Sequence, residues 1–198
     1  MKKLVILLII IPIFTFGQAK KLYRQAYRTT DTNEKIALFT KVIALEPKNF
    51  NAYFHRAIAK NDLGDYSGAI LDYSKILFYK PDADTYYNRG NSKYSLEDYF
   101  GAKEDYENAL KLDPQFFDAK YNLASAKYFL EDYMGAITDL SKIIEALPTE
   151  SKAYTQRANA LLAIEKYKLA IQDFSMAILI NPRTDTYYKR GLTHFNIK

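Results

Sequence analysis

The chain has 198 residues, a formal net charge of +5, 18 tyrosines, no tryptophan and no cysteine. Lacking cysteine, it forms no disulfide, offers no thiol nucleophile and builds no thiolate metal site. The basic excess falls to +3 once Lys2 and Lys3 are set aside and is spread without a basic run, so it gives no argument for a nucleic-acid partner.

Lys2 and Lys3 precede an apolar run from Leu4 to Ile11 that continues through Ile13, Phe14 and Phe16. The run is short against the ~20 residues that a membrane span needs. With small residues Thr15 and Gly17 two apart, it reads as a signal peptide over residues 1–17, cleaved after Gly17; an uncleaved anchor is the alternative. The mature chain is therefore expected to be exported, periplasmic or extracellular, and to keep no stable membrane span. Residues 18–49 are expected to form a degenerate N-terminal capping unit. Its second helix carries Ile36, Phe39, Val42, Ile43 and Leu45, while its first, near residues 20–29, lacks the small-residue signature of the later units.

From residue 50 a unit of 33 or 34 residues repeats. Gly64-Asp65-Tyr66-Ser67-Gly68-Ala69 returns as Glu97-Asp98-Tyr99-Phe100-Gly101-Ala102, as Glu131-Asp132-Tyr133-Met134-Gly135-Ala136 and, more loosely, as Glu165-Lys166-Tyr167-Lys168-Leu169-Ala170. Prolines at 47, 81, 114, 148 and 182 close successive units. A fixed period of this length means stacked copies of one supersecondary element. The copies span 50–82, 83–116, 117–150 and 151–183, and residues 184–198 make the first helix of an incomplete repeat or a C-terminal cap.

Each copy reads as two helices. First helices are expected at about Asn51–Leu63, Asp84–Leu96, Asp118–Leu130, Lys152–Ile164 and Thr184–Ile197; second helices at about Tyr66–Tyr79, Tyr99–Leu112, Tyr133–Ala146 and Tyr167–Ile180. Gly64 suits a left-handed position between the two. Small residues recur where helices must approach: Ala57, Gly90, Ala124, Ala158 and Gly191 on first helices, and Ala69, Ala102, Ala136 and Ala170 on second helices. A larger side chain there costs about 1–3 kcal/mol by overpacking.

An aromatic residue, a small residue four later, then Ala-x3-aromatic and a closing proline appear as Tyr53, Ala57, Ala69, Tyr73, Pro81 and as Tyr86, Gly90, Ala102, Tyr106, Pro114. On these residues the chain resembles the tetratricopeptide repeat family over about residues 50–196 and more loosely over 19–47. The resemblance implies an all-α, right-handed superhelical solenoid of helix-turn-helix repeats whose first helices line the concave face. Tyrosine stands where the family often has tryptophan, at Tyr53, Tyr86, Tyr154 and Tyr187. Lys120 holds that slot in the third copy, where packing is expected to differ.

Two sets of side chains stand out. Arg56, Arg89 and Arg157 each precede an aspartate by 16 residues, Asp72, Asp105 and Asp173, which predicts structural ion pairs between the helices of a copy. A ligand-binding arginine ladder is the sharper alternative. Leu123 breaks the pairing with Asp139, and Arg190 meets no carboxylate at that offset. The second set is aromatic: Tyr87 and Tyr94, Tyr121 and Tyr128, and Tyr188 and Phe195 lie seven apart, hence on one face of a helix. The resemblance places these slots, with Phe54 and Asn61 in the first full copy and Thr155 and Leu162 in the fourth, on the concave groove. There they either contact a partner or pack on neighbouring helices. One branch of the family grips a C-terminal carboxylate with two Lys, two Asn and one Arg; Asn91, Asn122 and Lys152 match three of those slots. Tyr87 and Gln156 depart from the other two, so that specificity is not expected.

No catalytic or metal constellation is legible. His55 and His194 lie far apart, and no glycine-rich phosphate loop is present. The expected role is a non-catalytic scaffold, without a cofactor, that holds a peptide or partner helix through Phe54, Tyr87, Asn91, Tyr94, Tyr121, Asn122, Tyr128 and Lys152. A glycan-binding module using the tyrosines, and the accessory repeats of a longer enzyme or assembly factor, are the competing readings. Self-association through residues 184–198 is a further expectation.

Overall fold

The computed structural model describes residues 17–196; residues 1–16, on which the signal-peptide reading rests, lie outside them. The described residues are helical, without a strand, and divide into two compact units, one through Leu96 and one from Glu97.

The unit through Leu96 holds α1 (residues 17–28), α2 (Thr32–Leu45), α3 (Phe50–Asp62), α4 (Tyr66–Tyr79) and α5 (Ala83–Ser95). The unit from Glu97 holds α6 (Tyr99–Leu112), α7 (Phe117–Phe129), α8 (Tyr133–Ala146), α9 (Ser151–Ala163), α10 (Tyr167–Ile180) and α11 (Thr184–Phe195). Within each unit, sequential helices pack on one another. The four full-copy second helices occupy the spans read from the sequence, while the first helices of those copies start and stop one residue earlier.

Local chemistry sets these limits. Asp65, Asp98 and Asp132 each accept the backbone N–H three residues on, from Gly68, Gly101 and Gly135, at 2.9 Å. An aspartate cap satisfies one of the orphan donors at a helix start. The glycine leaves room for the carboxylate as it is placed: a Cβ on Gly135 would lie 2.2 Å from the Asp132 carboxylate. The last copy has lost both partners together, with Lys166 and Leu169 in those places and no side-chain cap on α10. Before each cap the chain turns through a left-handed residue. Gly64 (φ +78°) does so in the first full copy, but Glu97, Glu131 and Glu165 take the same conformation in the others at φ +61°, +62° and +58°.

The first unit's core joins Ala26, Leu38, Phe39, Val42 and Ala52, and then Ala57, Ala69, Tyr73 and Ile76. The second unit's core joins Tyr121, Ala124, Leu140, Ile143 and Ala153, and then Ala158, Leu161, Ala170 and Phe174. On α1, Tyr23 takes the place of the small residue and packs edge-on to Phe39 with ring centroids 5.5 Å apart.

A second row of small residues emerges that the sequence reading passed over. Ala52 and Ala59, Thr85 and Ser92, Ala119 and Ala126, Ala153 and Ala160, and Thr186 and Thr193 are seven apart, and all are 2% exposed or less. The buried hydroxyls find partners close by: Ser92 donates to the Asn61 carboxamide oxygen at 2.9 Å, and Thr193 to the Lys189 carbonyl at 2.7 Å.

Candidate partner-binding surfaces

The recurrent arginines are built into the frame. Arg56 Nε donates to Asp72 Oδ2 at 2.9 Å and Nη2 to Oδ1 at 2.6 Å; Arg157 grips Asp173 in the same fork, both bonds at 2.8 Å. The remaining nitrogen reaches back to the preceding second helix: Arg56 to Thr40, Arg89 to Ser74 and Arg157 to Ser141, each at 3.0 Å. Each guanidinium also lies 5.5–5.8 Å from the ring three residues earlier, Tyr53, Tyr86 or Tyr154. Bonding to Asp173 holds the Arg157 pKa above its usual value. These guanidinium groups are occupied within the fold, and forked pairs fix orientation as well as charge. Asp105, on α6, is fully buried.

The copy that lacks the arginine solves the same problem otherwise. Leu123 occupies its place, yet Asp139 is not abandoned: Lys127 bonds Asp139 Oδ2 and Lys142 approaches Oδ1 at 3.7 Å. Lys60 already plays this part beside Arg56, reaching Asp72 Oδ2 at 2.9 Å. Residues four apart share a helix face, so either can present the cation. Leu123 makes no pair with Asp139, and Lys127 supplies the cation from one turn further along α7.

The groove candidates differ in how much they offer. In the first unit Phe54 is half-buried, edge-on to Tyr73 at 5.7 Å and to His55 at 5.9 Å. His55 sits among Tyr23, Tyr27, Phe39 and Phe54, and burial pushes its pKa below the usual histidine value. Tyr87, Asn91 and Tyr94 are half-buried on α5, bonded or packed within the fold.

In the second unit Tyr128 is half-buried against Phe129 and Tyr133, and Asn122 is half-buried on α7. Tyr121 is only 6% exposed and belongs to the core. Among the described residues its hydroxyl nevertheless has no hydrogen-bond partner, and neither does the carboxamide oxygen of Gln156 on α9. Gln156 Nε2 donates to Ser125 Oγ at 2.8 Å, one turn beyond Tyr121 on α7. The exposed Lys152 holds its ammonium 5.1 Å over the Tyr121 ring. Burial, with Glu150 and Asp118 nearby, raises the Tyr121 pKa and keeps the phenol neutral. The sequence reading treated Gln156 only as a mismatch to a carboxylate clamp; nothing in its spacing signals an orphaned oxygen.

A model of the tetratricopeptide repeat matches residues 83–116. No curated protein matches the chain. Among solved structures, a tetratricopeptide repeat protein from Parabacteroides merdae superposes with a TM-score of 0.82 at 20% identity, covering 90% of this chain and 73% of its own. The MamA protein superposes at 0.78 and 20% identity, covering 87% and 95%. YrrB, described as a tetratricopeptide protein with an unusual peptide-binding site, superposes at 0.72 and 18% identity, covering 78% and 80%. At these identities the likeness shows the fold: all-α helix-turn-helix repeats of tetratricopeptide type.

Proposed function

We propose that this chain, a helix-turn-helix repeat array, is a non-catalytic interaction scaffold acting outside the cytoplasm. It holds an extended segment of a partner protein against α7 and α9. The observation that carries the reading is the pair of buried, unpartnered polar atoms, Tyr121 Oη and Gln156 Oε1. A buried polar group left without a partner costs about 1–3 kcal/mol, so a bound chain recovers that free energy when the two side chains turn outward from their buried positions to meet it. A peptide N–H satisfies the Gln156 oxygen, and a peptide carbonyl accepts from the neutral Tyr121 phenol. Asn122 adds a carboxamide on the same helix, and Lys152 supplies a cation for an acidic group of the segment. Peptide binding is what YrrB's description reports of that protein; here it is the chemistry to which these residues are suited. The burial of Tyr121 leaves little ring surface for stacking on a sugar, which favours a peptide over a glycan.

The test begins with photo-crosslinking of the chain in its native cells and mass spectrometry of what it captures. The affinity of the captured protein is then measured for the wild type and for Tyr121→Phe, Gln156→Leu and Asn122→Ala. Tyr121→Phe removes only an unpaired buried hydroxyl, so it should melt no lower than the wild type, while Gln156→Leu also gives up the bond to Ser125 and should melt slightly lower; each should bind at least about fivefold more weakly, the worth of one hydrogen bond. Capture of the same partner with unchanged affinity by all three variants refutes the assignment.

A further inference from the structure

We infer that α1 is a docking surface for an anionic phospholipid bilayer, whose headgroup phosphates are held by Lys20, Lys21, Arg24 and Arg28. This surface is separate from the α7–α9 surface proposed above and does not depend on it.

The inference starts from where the charge of the chain resides. Residues 1–28 hold six basic side chains and no acidic one, and from residue 29 onward acidic side chains outnumber basic ones by one. Lys2 and Lys3 apart, the whole basic excess therefore belongs to α1. The sequence shows no basic run because Leu22, Tyr23 and Ala26 interrupt it. On the helix these three turn to the first unit's core, with Ala26 fully buried and Leu22 and Tyr23 packed against it. Lys20, Lys21, Arg24 and Arg28 are left exposed together. Lys20, Arg24 and Arg28 are four apart in one row, and Lys21 stands seven before Arg28 on the same side.

The fold does not answer these charges. No carboxylate among the described residues pairs with any of the four. Glu34, which reaches α1 from α2, bonds Gln25 and Thr29 and none of the cations. Like charges four apart weaken a helix. A face that needed only to be wet is served by mixed charge, as on α6, where Lys103 meets Glu107. A single sign over two turns suits an anionic surface.

The occupant follows from what accompanies the charge. Protein interfaces gather around a buried aromatic or aliphatic anchor. This face offers none, since Tyr27, the exposed ring of α1, is turned edge-on to His55 on α3. Long, flexible cations without an anchor suit a fluid plane whose headgroups rearrange around them. Chain order gives the position. α1 follows directly on the apolar run of residues 4–16, and on either reading of that run, signal or anchor, it is delivered to a bilayer surface.

The test is co-sedimentation of the purified full chain with vesicles of phosphatidylcholine alone, or of phosphatidylcholine and phosphatidylglycerol in equal parts. Mass spectrometry establishes which N-terminus the chain carries. Comparing the two lipids subtracts whatever an apolar N-terminus contributes, because that contribution is common to both. Each Lys or Arg at an anionic surface is worth roughly fivefold, so the expected preference for the anionic vesicles is about tenfold or more. It should disappear at about 1 M salt, where the Debye length falls to about 3 Å. The combined variant Lys20→Gln, Lys21→Gln, Arg24→Gln, Arg28→Gln should lose the preference. Lys41→Gln with Lys168→Gln, two exposed cations elsewhere, should keep it. Circular dichroism melts establish that both variants are folded. Equal partition of the wild type onto the two vesicles overturns the inference, as does a preference that the four-site variant keeps. Binding to polyglutamate or duplex DNA at low salt, with none to anionic vesicles, also overturns it and assigns the face to an acidic protein or to nucleic acid.

Discussion

Arg157 ties three helices together through one side chain: its own α9, Asp173 on α10 and Ser141 on α8. The Asp173 side chain is 8% exposed and that of Arg157 22%, so solvent screens the pair weakly. Breaking such a pair leaves a charge behind without its partner, and the cost falls at about 3 kcal/mol. Asp173→Ala should therefore lower the urea midpoint sharply. The double variant Arg157→Met, Asp173→Leu should recover most of the loss, because it leaves no orphaned charge. A single variant that melts like the wild type would show the pair to be ornamental. The offset of 16 residues between Arg and Asp was legible in the sequence because it recurs. The substitution of Lys127 for the missing arginine was not, because it moves the cation one helical turn along and so breaks the offset while keeping the contact.

At the scale of the element, the second helices of three copies begin on the same device, an aspartate cap on a glycine N–H three residues on. The glycine is there for space. Gly135→Ala brings a Cβ to 2.2 Å from the Asp132 carboxylate where it now lies, so the carboxylate must turn and the cap weakens; the expected loss is about 1 kcal/mol. Gly191→Ala, made on an open helix surface, should act in the opposite sense, since alanine is favoured over glycine in a helix interior by about 1 kcal/mol. Thermal melts of the two variants should move in opposite directions. A stabilising Gly135→Ala would mean that the cap contributes nothing. The sequence marks Gly191, not Gly135, as the residue at a close approach, and the neighbours in space reverse that assignment.

Across the whole chain, a repeat array is stabilised roughly as a sum of its units and the contacts between successive ones, so a copy with a gap in its packing is a place to intervene. One such copy contains Lys120, where four others have tyrosine. Lys120 borders an open cleft of about 270 Å³ whose apolar wall is Leu110, Pro114, Phe117, Leu123, Ile143 and Ala146 and whose rim carries Asp139 and Lys142. The Lys120 ammonium turns instead toward the Phe117 ring, 4.7 Å from its centroid. Lys120→Tyr should place a ring in that cavity and raise stability by about 1–2 kcal/mol from the apolar area it buries, read as an upward shift of the denaturant midpoint. A fall would mean that the cavity walls have already closed to exclude a ring.

The 33- to 34-residue period determined by itself that the chain is built from helix pairs of tetratricopeptide type and where the second helices begin and end; of the small residues it marked for close approach, Ala57, Ala124 and Ala158 are buried while Gly191 faces open space. Periodicity does this because a helix buries one stripe, and a stripe is a local pattern. The tertiary structure decided what a local pattern does not contain: that Lys127 meets Asp139, that a second row of small residues is buried, and that Tyr121 is core while Lys152 is surface. Each depends on distances between elements far apart in the chain, and those are set by how neighbouring helices fill space around one another.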